Sequence, residues 1–219
     1  MPAILRLYED TLPADSVLDA LPSIPRMVLV VHGEATIGDH AYCDGEAWFG
    51  EGPLAIAPGK HGVTCWRFEL APASAPSGVA RGQGVASQEK LSVTLDHLPA
   101  GDLLMRGDSV AFPPGGCAFP HTHGGPGLRC LIDGGIRIDT HGRSTSYGPG
   151  SAWFESGSDP VFARAADRPT RFIRMMILPR AFLGKSSINY VNEDDRARPK
   201  VQQYKIYVDA PIGMKDASG

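Results

Sequence analysis

The stretch GGCAFPHTHGGPGLRCLIDGG, residues 115–135, sets His121 and His123 one residue apart, just ahead of an apolar run bounded by glycines. Residues i and i+2 of a β-strand point to one face, so on a strand the two imidazoles converge on a common point. Whether they are metal ligands or two polar residues of a turn decides most of what the chain does. Arg129 follows the GGPG turn (124–127) and opens the next strand. Turned inward, its guanidinium would hold a carboxylate by a bidentate contact; turned outward, it would be solvated. The turn has neither the lysine nor the following helix of a phosphate loop.

The same texture extends along the chain. RMVLVV (26–31), VTCWRFEL (63–70), KLSVTLDHL (90–98), GIRID (135–139) and RFIRMMIL (171–178) are short, rich in β-branched or aromatic residues, and flanked by Gly, Pro or Asp. No extended stretch carries the i, i+3, i+4, i+7 apolar pattern of a helix. With 26 glycines and 19 prolines in 219 residues acting as punctuation, the pattern is that of an all-β protein.

Two halves of the chain resemble one another. LVVHGEATI (29–37) lies over CLIDGGIRI (130–138), matching Gly33 with Gly134. GEAWFGEGPLAIA (45–57) lies over GSAWFESGSDPVFA (150–163), and VTCWRFELAP (63–72) over TRFIRMMILP (170–179), matching Arg67 with Arg174. Three matches in order indicate a duplicated β unit. The expected division is an N-terminal half at 1–72, a linker or long loop at 73–90, a C-terminal domain at 91–183, and an extension at 184–219 packing back on the barrels. Within the extension QYKIYVD (203–209) alternates like a final strand, expected to pair onto the other half.

A net charge of −3 gives no basic surface for nucleic acid or an anionic membrane. The acidic start, MPAILRLYEDTLPADS, is unlike a secretory signal, and no run reaches the ~18 apolar residues that span a bilayer. Cys43, Cys65, Cys117 and Cys130 are scattered without a CxxC pair, which suits reduced thiols in a cytoplasmic protein.

With the repeat in hand, residues 115–134 resemble the first motif of the cupin family, G-x5-H-x-H-x3,4-E-x6-G. Gly115, His121, His123, Gly127 and Gly134 reproduce its spacing, with Gly127 in the place of the glutamate. The second motif is poorly matched: residues 150–163 contain no histidine, and Asp159 or Val161 falls near its place. The first copy has Ala20 and Pro22 where the second has the two histidines. The resemblance implies two cupin barrels (double-stranded β-helix, or jelly-roll) in one chain, a metal site confined to the second, a structural first half, and a homodimer.

It also implies a divalent transition metal, Fe(II) first and Mn, Ni, Cu or Zn as alternatives, on His121 and His123 with Asp159 as the oxygen ligand. Glu155 is the runner-up ligand and the candidate catalytic base; Arg129 is the candidate substrate clamp. The expected function is a metal-dependent enzyme acting on a small, carboxylated or polyketide-like metabolite, dioxygenase-like or a Lewis-acid lyase or isomerase. The alternative is a non-catalytic bicupin that binds a small molecule. Trp48, Phe49, Trp153 and Phe154 read as repeated core aromatics, and Arg67 and Arg174 as matched structural salt bridges.

Overall fold

A computed structural model describes residues 2–213 of the chain. They fall into two units, residues 2–98 with 212–213 and residues 99–211. Among the described residues no helix is long and apolar enough to cross a membrane.

The first unit contains β1 (Ala3–Leu12), β2 (Val17–Leu18), β3 (Arg26–Ile37), β4 (His40–Cys43), β5 (Ala47–Gly50), β6 (Ala57–Pro72), β7 (Gly82–Gln83) and β8 (Ala86–Leu95). Its main sheet runs β4-β3-β6-β1-β8 with β5 also on β3, and β2 pairs with β7. The central strands are buried almost without alternation because both faces are covered: in β6 every residue from Cys65 to Ala71 is buried, Arg67 and Glu69 included. Leu12, Val28, Val30, Ile37, Val63 and Cys65 meet in one core cluster.

The second unit contains β9 (Leu103–Phe112), β10 (Cys117–His123), β11 (Gly127–Asp133), β12 (Ile136–Thr140), β13 (Arg143–Tyr147), β14 (Ala152–Glu155), β15 (Val161–Ala165), β16 (Thr170–Pro179), β17 (Ile188–Tyr190) and β18 (Gln203–Ile212). Two five-stranded sheets, β14-β11-β16-β9-β18 and β13-β12-β15-β10-β17, face one another. Val110, Phe112, Leu131, Ile138, Trp153 and Phe172 fill the space between them.

The duplication is exact in register. Val28 of β3 lies opposite both Trp48 of β5 and Arg67 of β6. Arg129 of β11 lies opposite both Trp153 of β14 and Arg174 of β16. The matched glycines do the same work in each copy. Gly33 and Gly134 have φ of 89° and 86°, and a Cβ at either would stand 2.3 or 2.4 Å from a backbone carbonyl oxygen.

The structure divides the chain later than the sequence does. Residues 86–95, the end of the expected linker and the start of the expected C-terminal domain, form β8 on the first sheet beside β1. They are polar because β8 is an edge strand with an exposed face, and an edge strand of small polar residues reads like a linker. QYKIYVD is a strand, but it pairs beside β9 in its own unit, not onto the other half. Of the expected 184–219 extension, residues 214–219 lie outside the described residues.

Candidate functional site

In the second barrel, strands of the two sheets bring His121, His123, Arg129, Glu155 and Arg174 to one small space. His121 and His123 are inward-facing neighbours on β10, with rings 4.8 Å apart and nearly perpendicular. Both are buried, at 5% and 7% exposure. Burial in a region of low polarity disfavours the imidazolium, so the pKa of His121 is lowered and that of His123 well lowered. For His123 the Arg174 and Arg129 charges push in the same direction. Both rings are therefore neutral near pH 7.

His121 Nδ1 lies 2.7 Å from the Phe119 carbonyl oxygen, so it carries the proton and leaves the lone pair on Nε2. His123 Nε2 stands 3.5 Å from Glu155 Oε2, and its buried Nδ1 has no hydrogen-bond partner among the described residues.

Glu155 comes from β14, two residues after Trp153 and on the same face. Trp153 Nε1 donates to Glu155 Oε1 at 2.9 Å, and Arg129 Nη2 lies 2.8 Å from Oε2. Arg129 thus points inward, but its partners are Glu155 and, through Nη1, the carbonyl of Gly127. Burial lowers its pKa to about 10 despite Glu155. The neighbouring Arg174 of β16 makes a two-pronged ion pair with Asp108 of β9, at 2.9 and 2.6 Å. The two arginines are balanced by two carboxylates.

Position 127, where the resembled motif has a glutamate, has no room for a side chain. A Cβ there would stand 2.3 Å from the Met175 carbonyl oxygen and 3.0 Å from Arg129 Nη1. The Arg129 side chain folds across the position, and a glutamate has no room.

The structure brings His121, His123, Arg129 and Glu155 together and leaves Asp159 out. Asp159 lies beyond β14 in the turn before β15, where it accepts from Ser156 Oγ and pairs with His141 Nε2 at 3.3 Å. Its side chain is 41% exposed. The turn hydrogen bonds aim it outward, so Asp159 is not placed to share a cation with the buried imidazoles. Sequence reasoning gave Arg174 only a structural role and passed over Asp108 and Tyr204. Arg174 does form the expected ion pair, and it also lines the histidine cavity together with Tyr204. The repeat held the available signal, because Arg129 and Arg174 fall opposite one another once the strands are aligned.

The side chains present fit a metal ion in part. Two neutral imidazoles, one with its Nδ1 proton committed to a carbonyl and one with an unpartnered buried nitrogen, suit a late first-row divalent ion. A protein carboxylate as third ligand is not preformed. Both Glu155 oxygens are engaged, and among the described residues no three His, Cys, Asp or Glu side chains form a metal-holding group.

No protein-family model and no curated protein matches the chain. Among solved structures, a cupin 2 conserved barrel domain protein from Leptotrichia buccalis is 14% identical, with 81% of this chain and 89% of that chain covered and a TM-score of 0.49. Two variants of the oxalate decarboxylase of Bacillus subtilis are each 12% identical, with 89% of this chain and 73% of theirs covered and TM-scores of 0.61 and 0.62. Likeness at this identity is one of fold: the chain is all-β and built as two cupin barrels.

Proposed function

We propose that the second unit is the active site of a cupin-type enzyme for a small carboxylate-bearing metabolite, with a divalent metal held by His121 and His123. The observation that carries this reading is a pair of adjoining cavities. One, of about 20 Å³, is lined by His121, His123, Arg129, Glu155 and Arg174, and has room for an ion or a single water. The other, of about 360 Å³, is lined by Arg106, Lys185, Ser186 and Ser187 among others. The two share Arg174, Ile188 and Tyr204 in their walls.

The larger cavity has the size of a small-metabolite site. Its Arg106 is committed to Asp209, and Lys185 makes no ion pair among the described residues. Lys185 is therefore the residue that draws in an anionic substrate, in place of Arg129, whose charge is already matched. With both arginines neutralised, an ion on the two imidazoles would leave the site positively charged, which favours a carboxylate. When bound, the metal would supply Lewis-acid polarisation or, as iron, oxygen activation. Glu155 stands beside His123 and is the group to hold or pass a proton, while Arg129 and Trp153 fix its orientation.

A non-catalytic binding role is favoured by the engagement of Glu155 with Arg129 and Trp153, which leaves no third ligand ready. Elemental analysis of tag-free protein, beside a His121→Ala/His123→Ala double variant, tests the proposal. Near-stoichiometric metal in the native protein and none in the variant supports the enzyme reading. No metal in either, after reconstitution under reducing conditions, replaces it with the binding role.

A further inference from the structure

The two cavities of the second unit meet at a wall of three residues, Arg174, Ile188 and Tyr204. Arg174 is fixed, because its Nε and Nη2 are both spent on Asp108. Ile188 is held by the pairing of β17 with β10, where it lies opposite His123. Tyr204 stands on β18, the edge strand of its sheet, with the Arg174 guanidinium carbon 6.0 Å from its ring centroid.

Tyr204 is 45% exposed, yet its phenol is partly desolvated. Burial pushes the pKa up to about 12, with the Arg174 charge opposing. Its hydroxyl makes no hydrogen bond with the described residues. A phenol withdrawn from water normally finds a partner for its O–H, so a donor is left over at the junction.

The charges of the larger cavity are matched except for one. Arg106 pairs with Asp209 and Asp108 with Arg174, which leaves the Lys185 ammonium without an ion pair among the described residues. Ile188, Ile206 and the Tyr204 ring supply apolar surface beside it. A ligand suited to this lining carries one carboxylate on an apolar body.

We infer that Tyr204 selects the substrate of the second unit: its ring divides the histidine cavity from the larger one, and its hydroxyl donates to the carboxylate of the bound acid. This rests on the larger cavity being the substrate site, and not on the metal.

Two measurements on the chelator-treated full chain test the inference without recourse to activity. Diethyl pyrocarbonate acylates neutral imidazoles, and the group it adds is larger than the histidine cavity of about 20 Å³. Mass spectrometry after digestion is expected to show His121 and His123 reacting far more slowly than the exposed histidines of the first unit. Tyr204→Ala joins the two cavities and is expected to speed both about tenfold. Tyr204→Phe keeps the ring and is expected to keep the native rate. Ile206→Ala, on the same edge strand but lining the larger cavity alone, is expected to change nothing.

The second measurement is calorimetric titration with benzoate, a carboxylate on an apolar body. It is expected to show one saturable site per chain, weakened about tenfold in Tyr204→Phe. Fast acylation in the native protein, native rates in Tyr204→Ala, or equal acceleration by Ile206→Ala overturns the partition. Equal benzoate affinity in the native protein and Tyr204→Phe overturns the hydroxyl as donor. No benzoate binding beside an intact Tyr204→Ala acceleration overturns the larger cavity as a site for acids, and with it the substrate reading, while the partition stands.

Discussion

The two units are the same scaffold used in opposite ways. At matched register the first sets Val28 between Trp48 and Arg67, whereas the second sets Arg129 between Trp153 and Arg174. Two residues earlier on the same strands, Arg26 faces Gly50 in the first unit, and Gly127 faces Glu155 in the second. Each unit thus buries an arginine against a carboxylate, but from different positions. In the first, Arg26 and Arg67 close around Asp10 and Glu69. In the second, Arg129 and Glu155 lie against two imidazoles, and the free space beside them is small. Local exchanges on an unchanged ladder decide which barrel can carry polar chemistry.

The largest way to break this comparison is to remove the matched arginines. Arg174→Met leaves Asp108 buried without its partner, and the expected loss of stability in urea is roughly 3–5 kcal/mol. Arg67→Met strands Asp10, leaves Glu69 with Arg26 alone, and is expected to cost at least as much. If either variant keeps the native midpoint, that arginine is not part of the stabilising pair, and the equivalence of the two copies fails at the residue that defines it.

Next in size are the matched glycines. Gly33→Ala and Gly134→Ala each force a side chain into the left-handed region and against a carbonyl. Each is expected to lose roughly 2 kcal/mol or more. Similar losses from both would confirm that the turn is one device used twice. A cost in one copy alone would separate the two turns and weaken the duplication.

Much of this architecture was legible in the sequence, for physical reasons. Turn glycines, β-branched runs and the paired AWF triplets are local signals, and the ladder placed them in the registers that the alignment implied. The histidine pair was legible because period-two geometry alone puts His121 and His123 on one face. The direction of Asp159 was not legible because an alignment gives position along the chain and not direction at a turn, where it accepts from the Ser156 hydroxyl. The closed position at Gly127 was invisible, since it depends on where Met175 and Arg129 lie in space. The polar edge strand at 86–95 failed for a related reason: its apolar partners are on another strand.

A smaller effect separates the units by pH. The described histidines of the first unit, His32, His40, His61 and His97, are exposed, whereas His121 and His123 are buried with lowered pKa values. The unfolded chain protonates such imidazoles near 6.5 and the folded protein does so only at lower pH. Below about 6.5 the unfolded state therefore binds more protons, and stability falls by up to about 1.4 kcal/mol per pH unit per histidine until the folded pKa is reached. Chelator-treated protein, denatured in urea at a series of pH values between neutrality and 5, is expected to show this slope. A His121→Phe/His123→Phe variant is expected to be flatter. Equal slopes would mean that the imidazoles are hydrated in solution and that the histidine cavity is open to bulk water.

The smallest expected change comes from Asp159→Ala. Its partner His141 is on the surface, and an exposed ion pair of this kind contributes between 0 and about 1 kcal/mol. Metal content, if the native protein carries any, is expected to stay the same, because the side chain is outside the cavity that holds His121, His123 and Glu155. Glu155→Gln is the informative companion. It leaves Arg129 and His123 facing a neutral amide and is expected to lower metal affinity or turnover where Asp159→Ala does neither. The reverse result, metal lost with Asp159 and kept without the Glu155 charge, would mean that the turn at 156–159 folds inward on binding. The carboxylate that distinguishes the second barrel would then be the one on its surface turn, and the buried Glu155 would serve Arg129 alone.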